Sequence, residues 1–141
     1  MFTPVSTRAA SAYKTVAAET GVQGADPHQL VNLLFDALLQ AMNQARGALE
    51  RGDLETKAKA LSKAVRILEE GLRVGLNLQE GGELAHRLQA VYAYSVQRLT
   101  IANMRNDGTL ITEVTDLIEP VAQSWKDIRA TALQPATGPG A

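Results

Sequence analysis

A chain of 141 residues with 45% hydrophobic and 21% charged side chains is enough for one domain with its own core. Its formal net charge of −1 offers no basic surface for nucleic acid or an anionic membrane. The lack of cysteine excludes a disulfide framework, a thiolate zinc site and a cysteine nucleophile, and suits a reducing cytoplasm.

Residues 1–25 read as a short helical arm. Ala9, Tyr13, Val16 and Ala17 form a brief apolar stripe, and Gly21 and Gly24 separate it from the first long helix. Arg8 lies near the start, but no apolar block of signal-peptide length accompanies it. No apolar run anywhere approaches the roughly 20 residues of a membrane span. A cytoplasmic protein without membrane insertion is therefore expected.

Residues 26–133 read as a bundle of four helices. Asp26, Pro27 and Gln29 open the first, with a capping side chain, a proline at the first helical position and a capping-box partner. It runs to about Arg51, where Gly52 suits a left-handed C-cap. Asp53 caps the second helix, which extends to about Gly75. Gly81-Gly82 precede the third, from Glu83 to Arg105. Asn106-Asp107-Gly108 is a turn signal before the fourth, from Thr109 to Leu133. Helices of similar length joined by short connections pack antiparallel, so the expected fold is all-α, an antiparallel up-down four-helix bundle with a short N-terminal helical arm. Pro120 falls inside the fourth helix, where apolar periodicity continues on both sides and a kink is expected, not a break. Residues 134–141, QPATGPGA, have no periodicity and read as a disordered tail.

The apolar faces differ between helices. The fourth presents Leu110, Val114, Leu117, Val121, Trp125, Ile128 and Ala132 as one face, with Ile111 and Ile118 at its edge. The first spreads Leu30, Val31, Leu34, Phe35, Leu38, Leu39, Ala41 and Met42 over an arc of about 200°. The second carries a core seam of Leu54, Ala58, Leu61, Val65, Leu68 and Leu72, and another of Ala60, Ala64, Ile67, Gly71 and Val74. The third carries Leu84, Leu88, Val91/Tyr92, Ser95/Val96 and Leu99, and a further seam of Ala90, Tyr94, Gln97, Ile101 and Met104. One stripe per helix suffices for a four-helix core, so the further seams are surplus. They are either wide packing within the domain or a groove for an amphipathic helix of a partner. The arm is either a fifth packing element or a cover for that groove.

Catalytic readings fail on inventory. Glu83 and His86 have the Glu-x-x-His spacing of di-iron bundles, but His28 has Ala25 three residues before it, so the second motif is missing. His86 lacks the neighbouring lysine expected of a phosphotransfer histidine, and no phosphate-cradling glycine loop or calcium loop is present. Neither a metal nor a cofactor is expected, nor enzymatic activity.

The order and spacing of several short elements carry a resemblance. These are Ala12-Tyr13-Lys14-Thr15-Val16 with Glu19-Thr20, Pro27 to Val31 with Leu34-Phe35-Asp36, Gly81 to Ala85, Leu88 with Tyr92-Ala93-Tyr94, Leu99 with Ala102-Asn103, and Trp125. From about Ala12 to Ile128 the chain resembles the FliS family of flagellar secretion chaperones. It departs from that pattern at Phe35, where the family has tyrosine, at Pro120 and in the tail. The resemblance implies binding of the disordered C-terminal segment of flagellin, protection from premature polymerisation and delivery to the flagellar type III export apparatus. It also implies that the arm, with Tyr13, lies over an apolar site and moves when flagellin binds. The residues expected to line or cover the groove are Tyr13, Val16, Leu34, Phe35, Leu38, Ile67, Tyr94, Ile101 and Met104. A helical adaptor for another secreted protein is the alternative, since an apolar groove does not name its ligand.

Overall fold

Pro27 begins helix α1 (Pro27–Glu50), and the computed structural model describes residues 27–76 and 81–133. Tyr13 and Val16, the rest of the arm and the tail from Gln134 lie outside the described residues. α1 ends as its sequence suggests. Gly52 adopts φ 74°, and the Asp53 amide donates to the Ala48 carbonyl at 2.8 Å while that of Gly52 donates to Leu49 at 3.1 Å. This pair of reverse bonds satisfies carbonyls that the helix leaves open, in a conformation glycine adopts without a Cβ penalty. Asp53 then caps α2 (Leu54–Arg66), its Oδ1 accepting the Thr56 amide at 3.1 Å.

α2 passes into a π-helical turn, Ile67–Leu72, in which the Arg73 amide reaches back to Leu68 at 2.9 Å. The widened turn keeps the pairs Ile67-Leu68 and Gly71-Leu72 buried together. Helix α3 (Gly82–Arg105) ends on Asn106 at φ 53°, and Asp107 binds the amide and hydroxyl of Thr109 as α4 (Gly108–Leu133) begins. Pro120 lies within α4, which continues through it without a break.

Neighbouring helices run antiparallel, and polar contacts fix their register. Arg46 near the end of α1 donates to Thr112 near the start of α4, and Trp125 far along α4 donates to the His28 carbonyl at 3.0 Å and stacks on the His28 ring. Lys57 at the start of α2 reaches Asn103 at the end of α3. Arg98 of α3 pairs with Glu113 of α4. The centre is filled by Leu34, Phe35, Leu38, Leu61, Leu99 and Ile118, with the rings of Phe35 and Tyr92 meeting at 6.4 Å between α1 and α3. The all-α, antiparallel four-helix bundle expected from the sequence is the fold observed.

Two apolar faces sit differently from expectation. In α4 the buried line is Val114 of the anticipated face with Ile111 and Ile118 of its edge and Ala122 beyond it, while Leu110, Leu117 and Val121 are only half-buried and Ile128 is exposed. The apolar arc of α4 is wider than one stripe, and the helix serves two neighbours: its first half pairs with α3 through Glu113 and Arg98, and its second half meets α1 through Trp125 and His28. In α2 the supposed surplus seam is core: Ala60, Ala64, Ile67 and Gly71 are buried, and Leu54 of the expected core seam is exposed. A bundle helix touches two neighbours and so buries two flanks. Small side chains, Ala41, Ala45 and Ala48 on α1 and Ala60 and Ala64 on α2, allow close approach between those helices.

Lys57 is the only buried charged side chain among the described residues. It meets no carboxylate; its Nζ donates to the Asn103 carbonyl at 3.0 Å and to Asn103 Oδ1 at 2.6 Å. A cation there complements the negative end of the α3 dipole. Lys57→Met keeps the stem but leaves two acceptors unpaired, and is expected to cost about 1–3 kcal/mol. Chemical denaturation of the variant beside the parent reads this directly.

Candidate functional site: the outward strip of α3

The core face of α3 is Ala85, Tyr92, Ser95, Leu99 and Ala102, all buried. At 100° per residue, Ala90, Tyr94, Gln97, Ile101 and Met104 lie on the opposite side of the helix. The structure leaves that side open. Met104 is 71% exposed, Tyr94 is 40% exposed, Ile101 is half-buried, and Ala90 and Gln97 are exposed. Of the residues expected at a groove, Tyr94, Ile101 and Met104 are thus together on the outer surface. Leu34, Phe35, Leu38 and Ile67 are not: all four are sealed in the core. The first three sit on the one part of the broad α1 arc that faces the bundle axis, and Ile67 continues the buried line of Ala60 and Ala64 on α2.

A border of α4 extends the strip. Leu110, Leu117 and Val121 share the side of α4 that carries Glu113, and Glu113 pairs across to Arg98 of α3. Continued along the two helices, this register sets Leu110 level with Ile101 and Leu117 level with Tyr94. At the far end Ile128 of α4 is 50% exposed; Leu84, expected in the core seam of α3, is also exposed, but it lies on the core side of the helix, in its first turn, and not on this strip. Monomeric proteins scatter single apolar side chains over their surface, but a run of them along one helix and its neighbour's flank marks an interaction surface.

A polar cluster sits within the strip. The Tyr94 hydroxyl donates to Glu113 Oε2, and Arg98 Nε donates to Glu113 Oε1 at 2.9 Å. The Arg98 guanidinium also lies 5.7 Å from the Tyr94 ring centroid. The hydrogen bond from Tyr94, then that from Arg98, holds the Glu113 carboxyl below its ordinary range, while the bond to Glu113 raises the Tyr94 phenol. Nothing in the sequence singled out Arg98 and Glu113, because their pairing joins separate helices. Elsewhere the hydrogen bonds from Thr56 and from Thr109 depress Asp53 and Asp107.

A carboxyl depressed by folding contributes stability that is complete above its unfolded value and is lost as pH falls through its folded value. All three acids act in that direction. The melting temperature is therefore expected to fall on acidification into and below the ordinary carboxylate range, and Glu113→Gln should flatten part of that limb. Circular dichroism melts across a pH series supply the measurement.

The Glu83–His86 pair is turned to other uses. Glu83 pairs with Arg87 at 2.7 Å, and His86 Nδ1 lies 2.8 Å from the Gly82 carbonyl. No group of three or more metal-ligating side chains forms among the described residues, and none of their helices is long and apolar enough to cross a membrane.

Comparison with known proteins fits this architecture. The family model for flagellar protein FliS matches residues 9–132. The flagellar secretion chaperone FliS of Salmonella typhimurium strain LT2 is 45% identical over 86% of this chain and 90% of that protein. FliSB of Pseudomonas aeruginosa is 40% identical over 86% of this chain and 95% of its own length. FliS of Bacillus subtilis strain 168 is 31% identical over 77% of this chain and 79% of its own. With a family match over most of its length and relatives this similar across it, the chain belongs to the FliS family of flagellar secretion chaperones.

Proposed function

We propose that this protein binds the C-terminal segment of flagellin along the outward strip of α3 and its α4 border, keeps flagellin from polymerising, and hands it to the flagellar export apparatus. It works in the cytoplasm as a binding protein and catalyses nothing. The observation that carries the reading is the open apolar seam of Tyr94, Ile101 and Met104 on a helix whose core face is already complete. Membership in a family of flagellar secretion chaperones supplies the class of client.

A segment that is disordered when free loses chain entropy on binding, so the surface must be long and largely apolar. Such coupled folding and binding buries on the order of 1,000–3,000 Å². Laid on this strip as a helix, the client would have its own apolar face occupied and unavailable to other subunits. The family resemblance adds Tyr13 and Val16 of the arm, which lie outside the described residues, to the residues proposed to act in client binding.

Calorimetry against a synthetic flagellin C-terminal peptide tests the reading. Saturable binding with a negative heat-capacity change is expected, together with an altered affinity when residues 1–20 are deleted. Absence of binding by the full chain would overturn it.

A further inference from the structure

Among the apolar side chains of the strip lies one charged cluster, where Tyr94, Arg98 and Glu113 meet. Resting on the reading that this strip receives the client, we propose that the cluster is itself part of the binding surface, its charges paired in advance so that an apolar helix can be laid over it.

Covering a lone charge with an apolar partner is prohibitive, whereas a charge whose hydrogen bonds are already made within the protein is far less costly to cover. The cluster meets that condition. Both oxygens of Glu113 are occupied, one by Tyr94 and one by Arg98. The Tyr94 hydroxyl spends its proton on Glu113, and the Arg98 guanidinium lies over the Tyr94 ring. The Arg98 and Glu113 side chains are 31% and 40% exposed, open enough to be covered and held too firmly to turn away. Tyr94 belongs at once to the cluster and to the apolar seam, so a helix that covers Ile101 and continues toward Ala90 must cross it. The pairing also fixes the Tyr94 ring, which lowers the entropy lost when a client packs against it.

A tie between α3 and α4 with no part in binding would show its loss in stability alone. The full chain is therefore titrated with the flagellin C-terminal peptide while its melting temperature is followed. Glu113→Ala strands the Arg98 guanidinium and the Tyr94 hydroxyl beneath the client, and is expected to weaken binding by about tenfold or more. The melting temperature should move by a few degrees at most, because the pair is half-exposed. The triple variant Tyr94→Phe/Arg98→Met/Glu113→Leu leaves no group unpaired and should regain most of that loss. If Glu113→Ala does not fold, Glu113→Gln takes its place, since it keeps an acceptor for Tyr94 but removes the charge facing Arg98. Wild-type binding with an unchanged Glu113 variant overturns this inference alone, as does a triple variant no better than the single. A wild-type chain that ignores the peptide overturns the proposed function, and this inference with it.

Discussion

Phe35→Ala is expected to destabilise the bundle by about 3–5 kcal/mol, because it removes a large side chain from a fully packed site. Phe35 is 1% exposed and meets Tyr92 across the bundle, with Leu34 and Leu38 buried beside it on α1. Truncation loses the apolar transfer energy of the ring and leaves a cavity that three helices would have to collapse to fill. Against a total stability of roughly 5–15 kcal/mol for a domain, this is a large fraction. At this chain length it should lower the melting temperature by roughly 10–20 °C. Denaturant titration should show an earlier midpoint with an unchanged slope, the mark of lost stability without a change of fold. Below its melting temperature the variant should still bind its client, since the ring does not reach the outer surface. Weak binding by a stable variant would return Phe35 to the groove where the sequence pattern alone had set it.

What the sequence discloses depends on how local the determining interaction is. Gly52, Asp53 and the Asn106-Asp107-Gly108 turn act within a few residues of themselves, and the helix ends fall where those residues indicate. The open seam of α3 was legible for a related reason. Two complete stripes on opposite sides of one helix cannot both face one axis. The other faces depend on the neighbours. The apolar arc of α4 leaves its rotation undetermined until α1 and α3 are in place, which is why Ile111 and Ile118 are core while Ile128 is exposed. Ala60, Ala64 and Ile67 formed a stripe that suits a partner's helix as well as it suits α1, and pattern alone does not distinguish them. The π-helical turn left no trace, since the repeat of Ile67-Leu68 and Gly71-Leu72 at four residues is ordinary α-helical spacing. Lys57 with Asn103, and Glu113 with Tyr94 and Arg98, join helices across 15 to 46 positions, and no spacing rule reaches that far.

The client surface should be separable from the fold by charge insertion at Ile101 and Met104. Both lie on the side of α3 opposite its core, and Met104 is the more exposed. Ile101→Glu introduces a residue with good helix propensity at a half-buried site, and should cost the bundle about 1 kcal/mol or less. Met104→Lys adds a cation in the last turn of α3, where the helix dipole favours it. Under a docked apolar helix, each replaces a packed side chain with a charge that has no partner. Loss of an anchor at an interface centre costs about 2 kcal/mol or more, and burying the unpaired charge adds to it. Each variant should therefore bind the flagellin C-terminal peptide at least about 30-fold more weakly while melting as a cooperative helical monomer. Because the two insertions have opposite sign, a shared loss identifies burial of an apolar surface, whereas loss from one and gain from the other would identify a charged client face. Unfolding of Ile101→Glu would make that position core, and undiminished binding by both variants would move the docking surface off α3.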